Sequence, residues 1–161
     1  MKWLWIPIVV GVLLLGCSCI NFRFDEVKLS MDSFPFITNP IVHLTLNRTE
    51  SKKYILSKTK ISYDYTFVHT YDSSSTKFIL QELIIDIPED TTFYYEYTGW
   101  GYSYGGKRIT EHAKFCNIPY DDLLKMANAP TITVYMCGKG YTLSTSGVVI
   151  GLKEWLEGEK K

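Results

Sequence analysis

The stretch KISYDYTFVHTYD, Lys60 to Asp72, alternates along its length. Ile61, Tyr63, Tyr65, Phe67, His69 and Tyr71 fall on one side, and Lys60, Ser62, Asp64, Thr66 and Thr70 on the other. In an extended chain successive side chains point to opposite faces, so a period of two predicts a strand with one buried face. After the turn-forming DSSST, the segment KFILQELIIDIP carries Phe78, Leu80 and Ile84 on one side and Ile79, Leu83, Ile85 and Ile87 on the other. Apolar residues on both sides predict a strand covered on two faces. Upstream, IVHLTL turns Val42, Leu44 and Leu46 one way; downstream, TFYYEYT and RITEHAKF complete a strand-rich region.

From Cys116 the period changes. Ile118 to Asn128 reads as a helix with Tyr120, Leu123, Leu124 and Ala127 along one apolar stripe. Pro119 suits its start, and Asp121 and Asp122 complement the positive end of the helix dipole. Pro130 stops it. TITVYMC and YTLST then flank the turn Gly138-Lys139-Gly140, and Ser146-Gly147 opens a last helix with Val148, Val149, Leu152, Trp155 and Leu156 facing inward. Strands followed by helix, hairpin and helix predict a single α+β domain, with a mostly antiparallel sheet and a helix–hairpin–helix C-terminal part.

The chain's 17 basic and 17 acidic residues balance formally, and no basic stripe stands out in the linear sequence. Binding nucleic acid through a phosphate-neutralising face therefore has no support. Abundant apolar and aromatic residues exclude a disordered composition, and no internal repeat is present.

The first residues form a separate unit. A cation at Lys2 precedes an apolar run from Trp3 to Leu15, which is the layout of an export signal. The run ends in Leu14-Leu15-Gly16-Cys17, which resembles the lipobox of bacterial lipoproteins. Leu14 takes the usual aliphatic position, Gly16 the small one and Cys17 the lipidated one, while Leu15 stands where alanine or serine is commoner. The resemblance implies cleavage before Cys17 and acylation of that cysteine. Residues 1–16 are then a removed signal peptide, 17–22 a short lipidated tether and 23–161 the exported domain. A signal anchor is the alternative, since Trp3 to Ile20 is about the length that spans a bilayer. Either route predicts an exported protein tethered to a bacterial membrane; on the lipobox route its link to the lipid bilayer is the acylated Cys17.

Of the remaining cysteines, Cys116 and Cys137 end consecutive strands on either side of a helix. If that helix is a right-handed crossover between parallel neighbours, both lie at one end of the sheet. A disulfide closing their loop of about 20 residues then stabilises the fold by about 3 kcal/mol; the alternative is two unpaired thiols, one or both buried. No Cys-x-x-Cys pair suggests redox or zinc chemistry, so no metal and no cofactor is expected. His43, His69 and His112 are the only histidines, each within a strand pattern, and His69 reads as a core residue. His112 and Cys116 are four apart, which in a strand separates them by roughly 13 Å, too far for a coupled dyad. Asp121-Asp122 and Glu89-Asp90 are accounted for by helix-end and turn chemistry. Neither a phosphate-binding loop nor a nucleophile elbow is present, and no catalytic residue is assigned.

One segment has more character: TTFYYEYTGWGYSYGGKR, Thr91 to Arg108. Trp100, Tyr102 and Tyr104 stand among glycines, which predicts a glycine-rich turn whose aromatics either meet a partner, an envelope protein or a glycan, or fold back with Trp100 tucked against the domain. The expectation is a membrane-anchored envelope lipoprotein acting as a non-catalytic binding or structural module. The alternative is a tethered hydrolase or thiol enzyme using Cys116 or Cys137 with a histidine from another strand.

Overall fold

The computed structural model describes residues 26–39, 42–55, 58–73, 80–105, 108–138 and 141–158. Leu14 to Cys17, expected to be a lipobox, the tether expected after them, residues 74–79 and Lys139-Gly140 lie outside them. The strands are β1 (Glu26–Thr38), β2 (Val42–Ile55), β3 (Lys58–Ser73), β4 (Leu80–Ile87), β5 (Thr91–Glu96), β6 (Gly99–Gly105), β7 (Arg108–Phe115), β8 (Ile132–Gly138) and β9 (Tyr141–Gly147). The helices are α1 (Tyr120–Asn128) and α2 (Leu152–Glu157).

Strand pairing divides the chain into two antiparallel sheets, one ordered β1-β2-β3-β7-β6 and the other β5-β4-β8-β9. The expected α+β architecture is therefore corrected: the described residues are mostly β, with two short helices among them. There is no separate helix–hairpin–helix part, because the β8–β9 hairpin joins the second sheet through β4. Local periodicity identifies a strand but not its partner. The β4–β8 pairing spans about 50 residues of chain, and only the tertiary fold reveals it.

Alternation in the first sheet sends Phe34, Val42, Leu44, Leu46, Tyr65, Phe67, Ala113 and Phe115 into one buried cluster. The register sets Phe34 beside Leu46, Leu46 beside Phe67 and Phe67 beside Phe115, a continuous apolar row across four strands. The second sheet contributes Leu80, Leu83, Ile85, Ile87, Ile132, Val134 and Met136 to the same cluster. In β4 a register shift between Leu80 and Glu82 brings Leu80 onto the face of Leu83, Ile85 and Ile87. Ile84 remains half-buried on the other face, so β4 is interior within its sheet but packed against the core on one side.

Asn117, at φ 60°, turns the chain out of β7, and the Ile118 amide donates to the Tyr65 carbonyl before α1 begins. α1 buries Leu123 and Met126, while Leu124 and Ala127 pack partly buried against the core. α2 is shorter than its sequence pattern suggests. β9 continues to Gly147, and Gly151 adopts a left-handed φ of 84°, a conformation that favours glycine, just before the helix starts. Val148 consequently lies outside the helix and 59% exposed, whereas Leu152 and Leu156 are buried.

Arg48 fastens α2 to the first sheet. Its Nε and Nη2 donate to the two carboxylate oxygens of Asp32 at 3.0 and 2.6 Å, and its Nη1 donates to the Trp155 carbonyl at 3.2 Å. The guanidinium lies 4.6 Å from the centroid of the half-buried Trp155 ring, which also meets Phe34 at 5.6 Å. Fork geometry and a flat cation over a ring are properties of arginine rather than lysine. Arg48→Ala is expected to lower unfolding stability by about 2 kcal/mol and Arg48→Lys by about 1 kcal/mol, read from urea midpoints at constant m-value.

Candidate functional site

All three histidines lie in the first sheet, in β2, β3 and β7. His43 is opposite Thr70, Thr70 opposite His112, and His112 opposite Gly101, forming one row on the outer face. Thr70 Oγ1 is 3.4 Å from His112 Nδ1. Beside this row, Thr110 donates to Asp72 at 2.6 Å.

His69 turns to the opposite, inner face and is 1% exposed. Burial first, then repulsion from charge on His112 and His43, lowers its pKa from 6.5 to about 4, leaving it neutral near pH 7. Glu111, also buried, occupies the same face of β7 opposite Tyr71, diagonal to His69 across the ladder. These groups are built into the core wall, where an external substrate does not reach them. A second polar contact joins sheet and helix: Tyr95 donates to Asp122 at 2.9 Å. Burial and that hydrogen bond push the Tyr95 phenol well above its ordinary pKa.

Cys116 follows β7 in the first sheet, and Cys137 lies in β8 of the second. The parallel crossover that would place them at one sheet end is absent, and both are free thiols, one exposed and one half-buried. Among the described residues no hydrogen bond joins either thiol to a histidine, and no three His, Cys, Asp or Glu side chains converge as a metal site.

The aromatic segment read as a turn is in fact the edge strand β6. Trp100 pairs with Ala113, Tyr102 with Glu111 and Tyr104 with Ile109; the side chains of these three aromatics lie outside the described set. Gly99, Gly101 and Gly105 occupy alternate positions with Ser103. A Cβ at Gly101 or Gly105 would meet nothing within 4 Å, so close packing does not require those two glycines. Their alternation with aromatics is itself a period of two, the signal that identifies a strand here.

A crevice of about 220 Å³ opens between β1 and the β8–β9 hairpin, lined by Phe36, Ile37, Ile132, Val134 and Val149 among others. It is smaller than the usual range of small-molecule pockets. Geometry thus defines a two-sheet antiparallel β protein whose buried polar groups belong to its core. The chain matches no protein-family model, no curated protein and no solved structure.

Proposed function

We propose that this chain is a lipid-anchored protein of a bacterial envelope whose exported domain is a non-catalytic binding or structural module. The observation that carries the reading is Leu14-Leu15-Gly16-Cys17 at the end of an apolar run behind Lys2. Acylation of Cys17 supplies the anchor; several chains on one cysteine hold a protein durably, whereas one binds only marginally. Support for a binding role comes from β6, an edge strand of the first sheet, where an envelope protein or glycan finds a row of backbone groups on the side away from β7. The alternative of a thiol enzyme gains no geometric support, since Cys137 and the histidines lie in different sheets and, among the described residues, no histidine partners Cys116.

Replacing Cys17 with alanine tests the anchor. The variant is expected to accumulate as an uncleaved precursor that takes up no radioactive palmitate, while the wild-type product has the mass of an acylated chain beginning at Cys17. Label retained by the variant, or residues 1–16 retained in the wild type, overturns the reading.

A further inference from the structure

The outer face of the β5-β4-β8-β9 sheet is covered by neither helix. α1 and α2 bury Leu123, Met126, Leu152 and Leu156 in the cluster on the inner side. Alternation along β4 turns Glu82, Ile84 and Asp86 outward, and the register sets a neighbour beside each. Ile84 lies between Tyr94 on β5 and Tyr135 on β8, a row that spans two strand spacings, roughly 10 Å. One row along, about 7 Å away, Glu82 is directly opposite Glu96. On the other side of the apolar row, Asp86 accepts a hydrogen bond from the Thr92 hydroxyl at 2.6 Å.

Charge on these strands has one sign. The segments LQELIIDI, TTFYYE, ITVYMCG and YTLSTSG carry the carboxylates of Glu82, Asp86 and Glu96 and no lysine or arginine. Among the described residues Glu82 and Glu96 make no ion pair, and Lys125 of α1 lies beyond the Asp86 end, beside Pro88 and Asp90. Like charges in directly opposed positions destabilise a sheet, and both glutamates are exposed, so core packing does not require them there. Tyr94, two positions along β5 from Glu96, is 71% exposed. An isolated exposed ring is ordinary, but this one adjoins two opposed carboxylates and continues into Ile84 and Tyr135.

We propose that this face binds an arginine-bearing extended segment of a partner protein, with one guanidinium held between Glu82 and Glu96 and lying against the Tyr94 ring. Opposed positions on neighbouring strands place the two Cβ atoms about 5 Å apart, and a planar guanidinium has donors on both edges with which to meet two carboxylates at once. Tyr94 shares their face, so its ring is in reach of the flat side of that cation. Lysine offers a point charge without the planar fork, which favours arginine. Ile84 and Tyr135 extend the contact as an apolar strip across the sheet. None of these residues lines the crevice beside β1, and an open sheet face suits an extended segment rather than an enclosed small molecule. The surface gives the binding-module reading a second, chemically defined partner site, and it stands whether or not Cys17 is acylated.

The test titrates the full chain, in a non-ionic detergent at about 0.15 M salt, into a fluorescein-labelled peptide of alternating serine and arginine and into its lysine and citrulline counterparts, read by anisotropy. The arginine peptide is expected to bind, the lysine peptide about fivefold more weakly and the citrulline peptide about tenfold more weakly or less. Glu82→Gln and Glu96→Gln should each weaken the arginine peptide about tenfold and Tyr94→Ala about fivefold. Asp64→Asn, the same change of charge on the exposed outer face of β3, should leave binding unchanged, and urea midpoints establish that all four variants fold. No binding of the arginine peptide overturns the proposal. So does binding weakened equally by Asp64→Asn and Glu82→Gln, which marks diffuse charge attraction. Cellohexaose binding that is lost in Tyr94→Ala and kept in both glutamate variants, with arginine and citrulline peptides bound alike, overturns the peptide assignment in favour of a sugar platform. None of these readouts depends on Cys17 or on β6, so failure here and failure of the anchor are separable.

Discussion

Phe67→Ala is expected to lower the unfolding free energy by about 3 to 5 kcal/mol, the range for removing a fully buried aromatic ring. Phe67 is 0% exposed, stands in the row Phe34, Leu46, Phe67, Phe115, and meets Phe36 edge-on at 4.9 Å. Its ring also lies 6.1 Å from that of Tyr95, in the other sheet. The backbone around it is fixed by ladders on both sides, to β2 and to β7, so the walls of the resulting cavity have little freedom to close. Tyr94→Ala supplies the contrast. It removes a ring of similar size that is 71% exposed on β5, and its expected cost is within about 0.5 kcal/mol. Urea titration of both variants measures the difference directly, and a loss below about 1 kcal/mol for Phe67→Ala would show that the two sheets are not joined through this row.

The identity of Phe67 as a core residue was legible from Lys60 to Asp72, because alternation over that length survives in β3 as the observed burial pattern from Tyr65 to His69. The same alternation failed to reveal two sheets. It reports which side of a strand is apolar, whereas the division between sheets depends on distant partners: β3 pairs with β7, and β4 with β8. Pattern reading also failed where backbone geometry interrupts a period. The register shift after Leu80 made a strand with one buried face look apolar on two, and Gly151 delayed α2 so that Val148 never entered its inward stripe.

Functional residues were legible to different degrees for the same reasons. The proposed lipobox is a contiguous pattern, Leu14 to Cys17, so a linear reading can raise it. The thiol pairing depended on an assumed parallel crossover, and two antiparallel sheets remove that assumption. Glycines around Trp100 suggested a turn because glycine often signals conformational freedom, but here GWGYSYG forms a ladder with β7.

The second large effect is a dependence of stability on pH carried by His69. Its folded pKa, about 4, lies below the ordinary imidazole value of 6.5, so between those limits the unfolded chain binds the additional proton. Stability from keeping this group neutral is fully present above about pH 6.5 and is lost as pH falls toward 4. The slope approaches about 1.4 kcal/mol per pH unit within that window, for a total of about 3 kcal/mol. Protonating His69 places a charge in the core wall, while His112 and His43 on the outer face oppose it with charge of the same sign. Glu111 shares the inner face and must be controlled for. Urea unfolding at intervals from pH 7 to 4 is therefore run on the wild type, on His69→Gln and on Glu111→Gln. His69→Gln should remove most of the slope, even if it is less stable at pH 7, because glutamine has no proton to take up in this range. If the acid sensitivity survives in His69→Gln and disappears in Glu111→Gln, the carboxyl group governs it instead.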